Sequence, residues 1–423
     1  MNLATLHEQA RQLDELDSLA DFRDSFHIPV LSGKEVLYFT GNSLGLMPKV
    51  AGSYVQQELN DWATLGVEGH FDAKHPWLSY HEIFPSLLSP LLGALETEIV
   101  VMNQLTVNLH LLMVSFYRPT PTRFKILCEG RAFSSDQYAM ESQVRFHGLD
   151  PDAAIVEVFP KEGETYIRKE DMIEAIHQQG DSLALVLIGG VNYYTGQLFD
   201  MSAITAAGKK MGAVVGFDLA HAVGNVALQL HDWDVDFATW CSYKYLNSGP
   251  GGVSGIFVHE RHHSANLPRF NGWWGYRKED RFQMTKGFEP IHTAEAWQLS
   301  NAPVISMAVH HASLDIFRQA GIDRLHAKRD QMAYLMMAGL NGIGEKFPRL
   351  FEILTPSAMS ERGCQTSLYF SQGGRDIFNA LEASGMLTDW RDPGVIRFAP
   401  VPLYNRFSDI ARFLERFEEL LQS

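Results

Sequence analysis

Apolar residues recur along this chain with two different periods. Near its start Leu3, Leu6, Ala10 and Leu13 fall three or four residues apart, the spacing that lines one face of a helix. Near its end Ile410, Phe413, Leu414, Phe417, Leu420 and Leu421 draw a second stripe, with Ser408 before it as the expected N-cap. Between them, short apolar runs alternate with helical stretches: KILCE (125–129), ALVLI (184–188), AVVGFD (213–218), FATWC (237–241) and GIFV (255–258). Runs of that length with little polar alternation read as strands buried on both faces, and strand–helix alternation predicts a mostly parallel sheet covered by helices. The fold class is therefore α/β. No internal repeat or low-complexity linker divides the chain, and the Gly-rich SGPGGVSG (248–255) reads as a loop inside a domain. The pattern places a large α/β domain at 41–334 and a smaller α+β domain at 335–423. The first 40 residues form an arm expected to pack on the smaller domain.

Composition narrows the partners. The formal net charge is −15, whereas broad binding to nucleic acid or anionic membranes needs a surplus of Lys and Arg. The three cysteines, Cys128, Cys241 and Cys364, stand far apart with no C-x-x-C pair, so neither a disulfide framework nor a structural zinc site is expected. The opening MNLATLHEQARQ lacks the basic and apolar regions of a secretory signal. No window reaches the roughly 18 consecutive apolar residues of a membrane span. A cytoplasmic location and a small-molecule substrate are the expectation.

The chemistry concentrates at two strand ends. Ligands of open α/β sheets bind outside the carboxyl ends of the strands, and Asp218 falls where AVVGFD ends. FATWC leads into Ser242, Tyr243 and Lys244, and Lys244 follows Asp218 by 26 residues (244 − 218), so the two can share one sheet edge. An acid that protonates a pyridine nitrogen and a lysine that can form a Schiff base are the minimal apparatus of pyridoxal phosphate (PLP) chemistry. A lone lysine beside a turn is ordinarily a surface residue; here Tyr243, Tyr245 and the Gly-rich loop surround it. Thr106 precedes the apolar stretch VNLHLLMVSFY. Taken alone it reads as an ordinary helix cap, and the further reading is a cap that also bonds phosphate at the helix N-terminus.

These residues sit in motifs that resemble one family over most of the chain, in the same order and with similar spacing. YFTGNSLGLMPK (38–49), LTVNLHLLM (105–113), YYTGQ (193–197), GFDLAHAVGN (216–225), HDWDVDFATWCSYKYLNSGPGG (231–252), GWWG (272–275), SNAP (300–303), ERGCQ (361–365) and RFAPVPLYN (397–405) all look like kynureninase. The resemblance implies a fold type I PLP-dependent enzyme of the class V aminotransferase superfamily, normally a homodimer with active sites at the subunit interface. It implies hydrolysis of L-kynurenine or 3-hydroxy-L-kynurenine to L-alanine and an anthranilate, within tryptophan catabolism and NAD precursor synthesis.

Carried over position by position, Lys244 would bind PLP as an imine and Asp218 would pair with the ring nitrogen. His221 would lie beside the cofactor, and Tyr243 and Trp273 would contact its phosphate. Leu105, Thr106, Phe133, Ser134, Ser135 and Asp136 would complete the cofactor pocket. Arg397 would grip the substrate carboxylate in the bidentate way a guanidinium favours. Ser43, His70 and Asn301 would line the substrate side, with Asn301 also near the cofactor. Family members favouring plain kynurenine tend to carry Trp and Thr at the last two positions, those favouring the 3-hydroxy form His and Asn. The resemblance thus implies preference for 3-hydroxykynurenine here. The proton donor to Cβ is read as Tyr243, because it adjoins Lys244. Gly189 stands where the family usually offers the cofactor a hydroxyl, and Ser134 where a proline is common.

Two rivals follow from other residues, and a third is a PLP-binding protein that has lost catalysis and acts through association. Cys364 would be the nucleophile of a cysteine desulfurase, and an aminotransferase-like PLP activity is the broader alternative. His259-Glu260-Arg261-His262-His263 matches the H-E-x-x-H zinc pattern, which works only on a helix; it follows a strand-like run and precedes Pro268, so a solvated turn is the expectation and no metal is assigned. Trp273 and Trp274 serve as core packing or as a pocket rim.

Overall fold

The computed structural model describes residues 3–422. Seven strands form its large sheet: β1 (Ile99–Val101), β2 (Lys125–Glu129), β3 (Ile155–Val158), β4 (Leu183–Gly189), β5 (Val214–Asp218), β6 (Phe237–Trp240) and β7 (Gly255–Val258). Their order is β1-β7-β6-β5-β4-β2-β3. Neighbours from β6 through β3 run parallel, while β7 is antiparallel to both β6 and β1. Each of the five apolar runs read as strands falls on one of these, to within a residue at either end.

Both faces of the sheet are covered, as the runs require. Along β4, Val186 and Ile188 enter one core cluster and Leu185 and Leu187 the other. Leu127 and Cys128 of β2 divide in the same way. Successive side chains of a strand point to opposite faces, so a continuous apolar run is what a sheet sandwiched by helices demands.

A second, antiparallel sheet follows in the C-terminal part: β8 (Glu352–Ile353), β9 (Thr366–Tyr369), β10 (Asp389–Arg391) and β11 (Val395–Phe398), ordered β8-β9-β11-β10. The 25-residue helix Ile322–Lys346 runs through position 334, so the two parts are joined by continuous helix. Leu6 and Ala10 of the opening helix (Leu3–Glu15) share a core with Ile396 and Phe398 of β11 and with Ile410, Phe413 and Phe417 of the final helix.

The cap of that final helix differs from the expectation. The helix spans Phe407–Gln422, so Ser408 lies inside it. The backbone N–H groups of Phe407 and Ser408 donate instead to the Asp14 carboxylate, at 2.7 and 3.1 Å. A carboxylate from the far end of the chain satisfies the orphan donors and ties the opening helix to the closing one. No helix among the described residues is long and apolar enough to cross a membrane.

Candidate active site

Three parallel strands deliver acids or their neighbours to one edge. β2 ends in Glu129, β4 in Gly189 and β5 in Asp218, and Gly189 pairs directly with Asp218. Beyond the end of β6 stands Lys244, half-buried, with its Nζ 5.9 Å from the ring centre of Phe133 and 6.0 Å from that of Tyr243. The lysine loop is held from the N-terminal side. Gly45 N–H donates to the Tyr243 carbonyl at 2.8 Å, and a Cβ at Gly45 would lie 2.3 Å from the Lys244 carbonyl oxygen. Ser43, two residues earlier, lies on the same segment docked to the lysine loop.

Asp136 and Asp218 are both buried and their carboxyls hydrogen-bond each other. Burial pushes both acids above the ordinary carboxylate range, and the mutual bond raises Asp136 further. Asp218 also accepts the N–H of Ala220 at 2.7 Å and feels the Lys244 ammonium. Asp136 therefore keeps the proton and Asp218 carries the charge. His221 is buried, and desolvation followed by the cations Lys244 and Arg397 holds its ring neutral.

Two helix N-termini converge beside these acids. Thr106, in the first turn of Leu105–Phe116, places its hydroxyl 2.7 Å from that of Ser135, in the first turn of Ser134–Phe146. The expected cap role of Thr106 does not hold: Gln104 is the N-cap, without a side-chain bond, and Thr106 lies inside the helix. Its hydroxyl is turned to the neighbouring helix instead. Ser134 opens its helix normally behind Phe133, so the proline common there is dispensable.

Arg397, on β11 of the C-terminal sheet, approaches this cluster. It is only 1% exposed, its guanidinium is bonded to the Asp389 carboxylate and to the Tyr193 carbonyl, and its Nε has no partner. Tyr193 packs edge-on against Phe133 with ring centres 5.2 Å apart, linking arginine and lysine sides. Tyr193 and Asp389 were not singled out from the sequence; YYTGQ had marked the first, and nothing local marks the second. Glu129 is a third. Both its oxygens lie 3.2 Å from the Gly189 N–H that donates to them, and a Cβ at Gly189 would sit 2.9 Å from Oε1. Glycine at 189 leaves room for that carboxyl.

The remaining residues stand elsewhere in the chain. His70 and Asn301 line one cavity of about 190 Å³ with Glu58, Trp62 and Trp77. Trp273 is 39% exposed and donates its indole N–H to the Arg281 carbonyl, while Trp274 is core packing. The zinc motif is not helical: Glu260–His262 is a single 3-10 turn. Of the pattern's two histidines, His259 is the N-cap of that turn and accepts the Arg261 N–H, while His263 donates to the Val258 carbonyl, so they share no helix face. Cys364 is buried, burial raises its thiol to about 12, and its N–H donates to Asn225. It is a buried core thiol held in its protonated form, which does not suit a nucleophile.

Lysine, a charged acid backed by a protonated one, a neutral histidine and two convergent helix N-termini suit one prosthetic group. Asp136 Oδ1 and His221 Nδ1 are buried without partners, and paired hydroxyls in two first turns suit a phosphate. The residues fit pyridoxal phosphate, whose ring nitrogen Asp218 would hold and which Lys244 would bind covalently.

The fold and site define a fold type I PLP-dependent enzyme. Solved structures of like fold include a cysteine desulfurase from Escherichia coli, with TM-score 0.76, 16% identity and coverage of 96% of this chain and 98% of that one. Another is C-DES with glycine covalently linked to its PLP cofactor, with TM-score 0.75, 17% identity and coverage of 91% and 96%. Sequence carries the assignment further. Residues 325–417 match the model of the kynureninase C-terminal domain. The kynureninase of Flavobacterium psychrophilum is 56% identical over 407 residues, covering 96% of each chain. That of Nematostella vectensis is 48% identical, covering 96% of this chain and 92% of its own. The chain belongs to the kynureninase family.

Proposed function

We propose that the chain hydrolyses the Cβ–Cγ bond of kynurenine-type amino acids, releasing L-alanine and an anthranilate. The observation that carries this is the placing of Lys244 beside the Asp136–Asp218 pair, with Arg397 entering through Tyr193. Bound pyridoxal phosphate supplies an electron sink for charge developing at the substrate's Cα. Asp218, ionised, keeps the ring nitrogen protonated, and Asp136 holds the proton that steadies Asp218. Lys244 would take the proton from the substrate's Cα. Arg397 orients the α-carboxylate, offering N–H groups now shared between Asp389 and Tyr193. Water adds to the γ-carbonyl, and the hydrate gives up a hydroxyl proton as the Cβ–Cγ bond breaks to the carboxylic acid. Tyr243 donates the proton that Cβ needs and is restored by the one released, and Lys244 returns its proton to Cα. Burial raises the Tyr243 hydroxyl above its ordinary range, so it stays a proton donor at neutral pH.

His70 and Asn301 are assigned to the aromatic ring, and the 3-hydroxy substrate is the preferred one, since both side chains can bond a phenolic hydroxyl. A homodimer forms over the apolar groove of about 1140 Å³ bordered by Ile28, Leu46, Met47, Pro250 and Val304. Trp273, 39% exposed, would serve the phosphate of the second subunit's site. Three free cysteines fit a reducing cytoplasm, and the pathway would be tryptophan breakdown toward NAD precursors. The test incubates PLP-loaded protein with kynurenine and with 3-hydroxykynurenine and measures anthranilate, 3-hydroxyanthranilate and alanine. Stoichiometric alanine, lost in Lys244→Ala, supports the activity. Neither product from cofactor-loaded protein would overturn it, and a higher specificity constant for plain kynurenine would overturn the ring assignment alone.

A further inference from the structure

His70 is fixed from three directions. Its Nδ1 lies 3.0 Å from the Val67 carbonyl. A carbonyl can only accept, so Nδ1 carries a proton, and of the two tautomers this is the one that leaves Nε2 as an acceptor. Its ring packs edge-on against Trp77, with centres 5.4 Å apart. The backbone around it is stitched to the tryptophan: Trp77 N–H donates to the Gly69 carbonyl at 3.3 Å, and Leu78 N–H to the His70 carbonyl at 3.2 Å. A Cβ at Gly69 would lie 2.4 Å from the Trp77 ring, so the indole occupies the space that only glycine leaves.

The tryptophan is anchored in turn. Its Nε1–H donates to Glu58 at 2.9 Å, and the Tyr80 hydroxyl shares the same carboxyl. Glu58 is only 2% exposed on a helix (Ala51–Leu65) where the neighbouring positions 56, 59 and 60 are exposed. Burying an acid costs free energy unless donors meet it, and here the donors it meets are those that hold the ring beneath His70. Glu58, Trp77, His70 and Asn301 then line one cavity.

We propose that Glu58 and Trp77 are positioning residues that set ring selectivity by holding His70 with Nε2 as an acceptor for a hydroxyl on the substrate's aromatic ring. This rests on the assignment of His70 to that ring. An acceptor fixed in place rewards a substrate that brings a donor and stays unpaired against one that does not. The effect falls on the ratio of specificity constants for the two substrates, and not on the chemistry at Lys244.

The experiment measures that ratio for the PLP-loaded wild type, Trp77→Phe, Glu58→Leu, Glu58→Gln and His70→Phe. A parallel nitrogen NMR measurement reads the His70 tautomer in the same proteins. Trp77→Phe and Glu58→Leu should lower the preference for 3-hydroxykynurenine roughly tenfold, the loss of one well-placed hydrogen bond, and mix the His70 tautomers. Glu58→Gln, which retains an acceptor for the indole, should keep most of the preference. Adding Trp77→Phe to His70→Phe should change the ratio no further. If His70→Phe lowers the ratio while Trp77→Phe and Glu58→Leu leave ratio and tautomer unchanged, the positioning role is wrong and the ring assignment survives. If His70→Phe leaves the ratio unchanged, the ring assignment falls and the positioning role falls with it.

Discussion

Asp136 and Asp218 share a hydrogen bond between two buried carboxyls, and the sharing is unequal. The Ala220 N–H and the Lys244 ammonium favour charge on Asp218, leaving the proton on Asp136. The two residues therefore respond differently to the same substitution. An asparagine at 136 still donates an N–H to Asp218, while one at 218 leaves the pyridine nitrogen without an anion. Asp218→Asn should lose roughly 10²–10³-fold in kcat, the scale of removing one preorganised electrostatic partner, and Asp136→Asn roughly tenfold or less. Steady-state rates on fully cofactor-loaded protein decide it; the reverse order would put the proton on Asp218.

Glu129 gives the cofactor-free protein a pH-dependent stability. Burial is the largest cause raising its carboxyl from the ordinary 4.5 to about 8, with the Asp218 charge adding to it. Between those values the folded chain holds a proton that the unfolded chain has released. Folded protein thus binds more protons, and stability falls as pH rises through the window. The contribution is complete below about pH 4.5 and is lost by about pH 8, on the order of a few kcal/mol. The raised acids Asp136 and Asp218 act in the same direction. Thermal melts of apoprotein from about pH 5 to 8 should show a shallower decline for Glu129→Gln than for wild type. Parallel curves would mean that Glu129 is already ionised in the fold.

What the sequence made legible follows from range. KILCE and GIFV mark β2 and β7 residue for residue, because a strand buried on both faces writes its location in its own composition. β3 at the sheet edge carries the exposed Glu157 and blends into its surroundings, and β1 is only three residues long. Lys244 and Asp218 were readable from strand ends, and the family motifs named most of the rest. The partners that tune them were not, because each is brought in by a distant element. Asp389 meets Arg397 only through the pairing of β10 with β11. Asp14 displaces the expected Ser408 cap from 393 residues away. Glu129 reaches Gly189 only because β2 and β4 are neighbours.

Arg397 should control substrate capture more than turnover. Its guanidinium is buried and already paired with Asp389, so Arg397→Ala removes the cation and strands the acid beside an incoming carboxylate. Removing a charge-assisted hydrogen bond from a desolvated site costs about 2–4 kcal/mol, read as a raised KM with kcat changed less. Arg397→Lys should recover part of the loss, because a point charge replaces the fork but not its geometry. Equal KM values for wild type and Arg397→Ala would remove the arginine from the substrate site.

Gly45 tests whether the N-terminal segment shapes the lysine loop. Its φ is not in the left-handed region, so alanine meets no backbone penalty there. The obstacle is space: an added Cβ would lie 2.2 Å from Asn247 Oδ1, 2.3 Å from the Lys244 carbonyl and 2.8 Å from the Asn247 Cα. Two of those three atoms are backbone, so the clash cannot be relieved by turning a side chain. Either the segment 43–46 or the lysine loop must shift, and the hydrogen bond from Gly45 N–H to the Tyr243 carbonyl is the first to break. Overpacking of this kind costs about 1–3 kcal/mol, too little to unfold a chain of this size outright. Gly45→Ala should therefore remain folded, with a modestly lower Tm, while cofactor affinity and turnover fall together because Lys244 and Ser43 move with the displaced backbone. Equilibrium PLP titration beside a thermal melt separates the two effects. Wild-type cofactor affinity in the folded variant would show that the lysine loop keeps its shape without the Gly45 hydrogen bond.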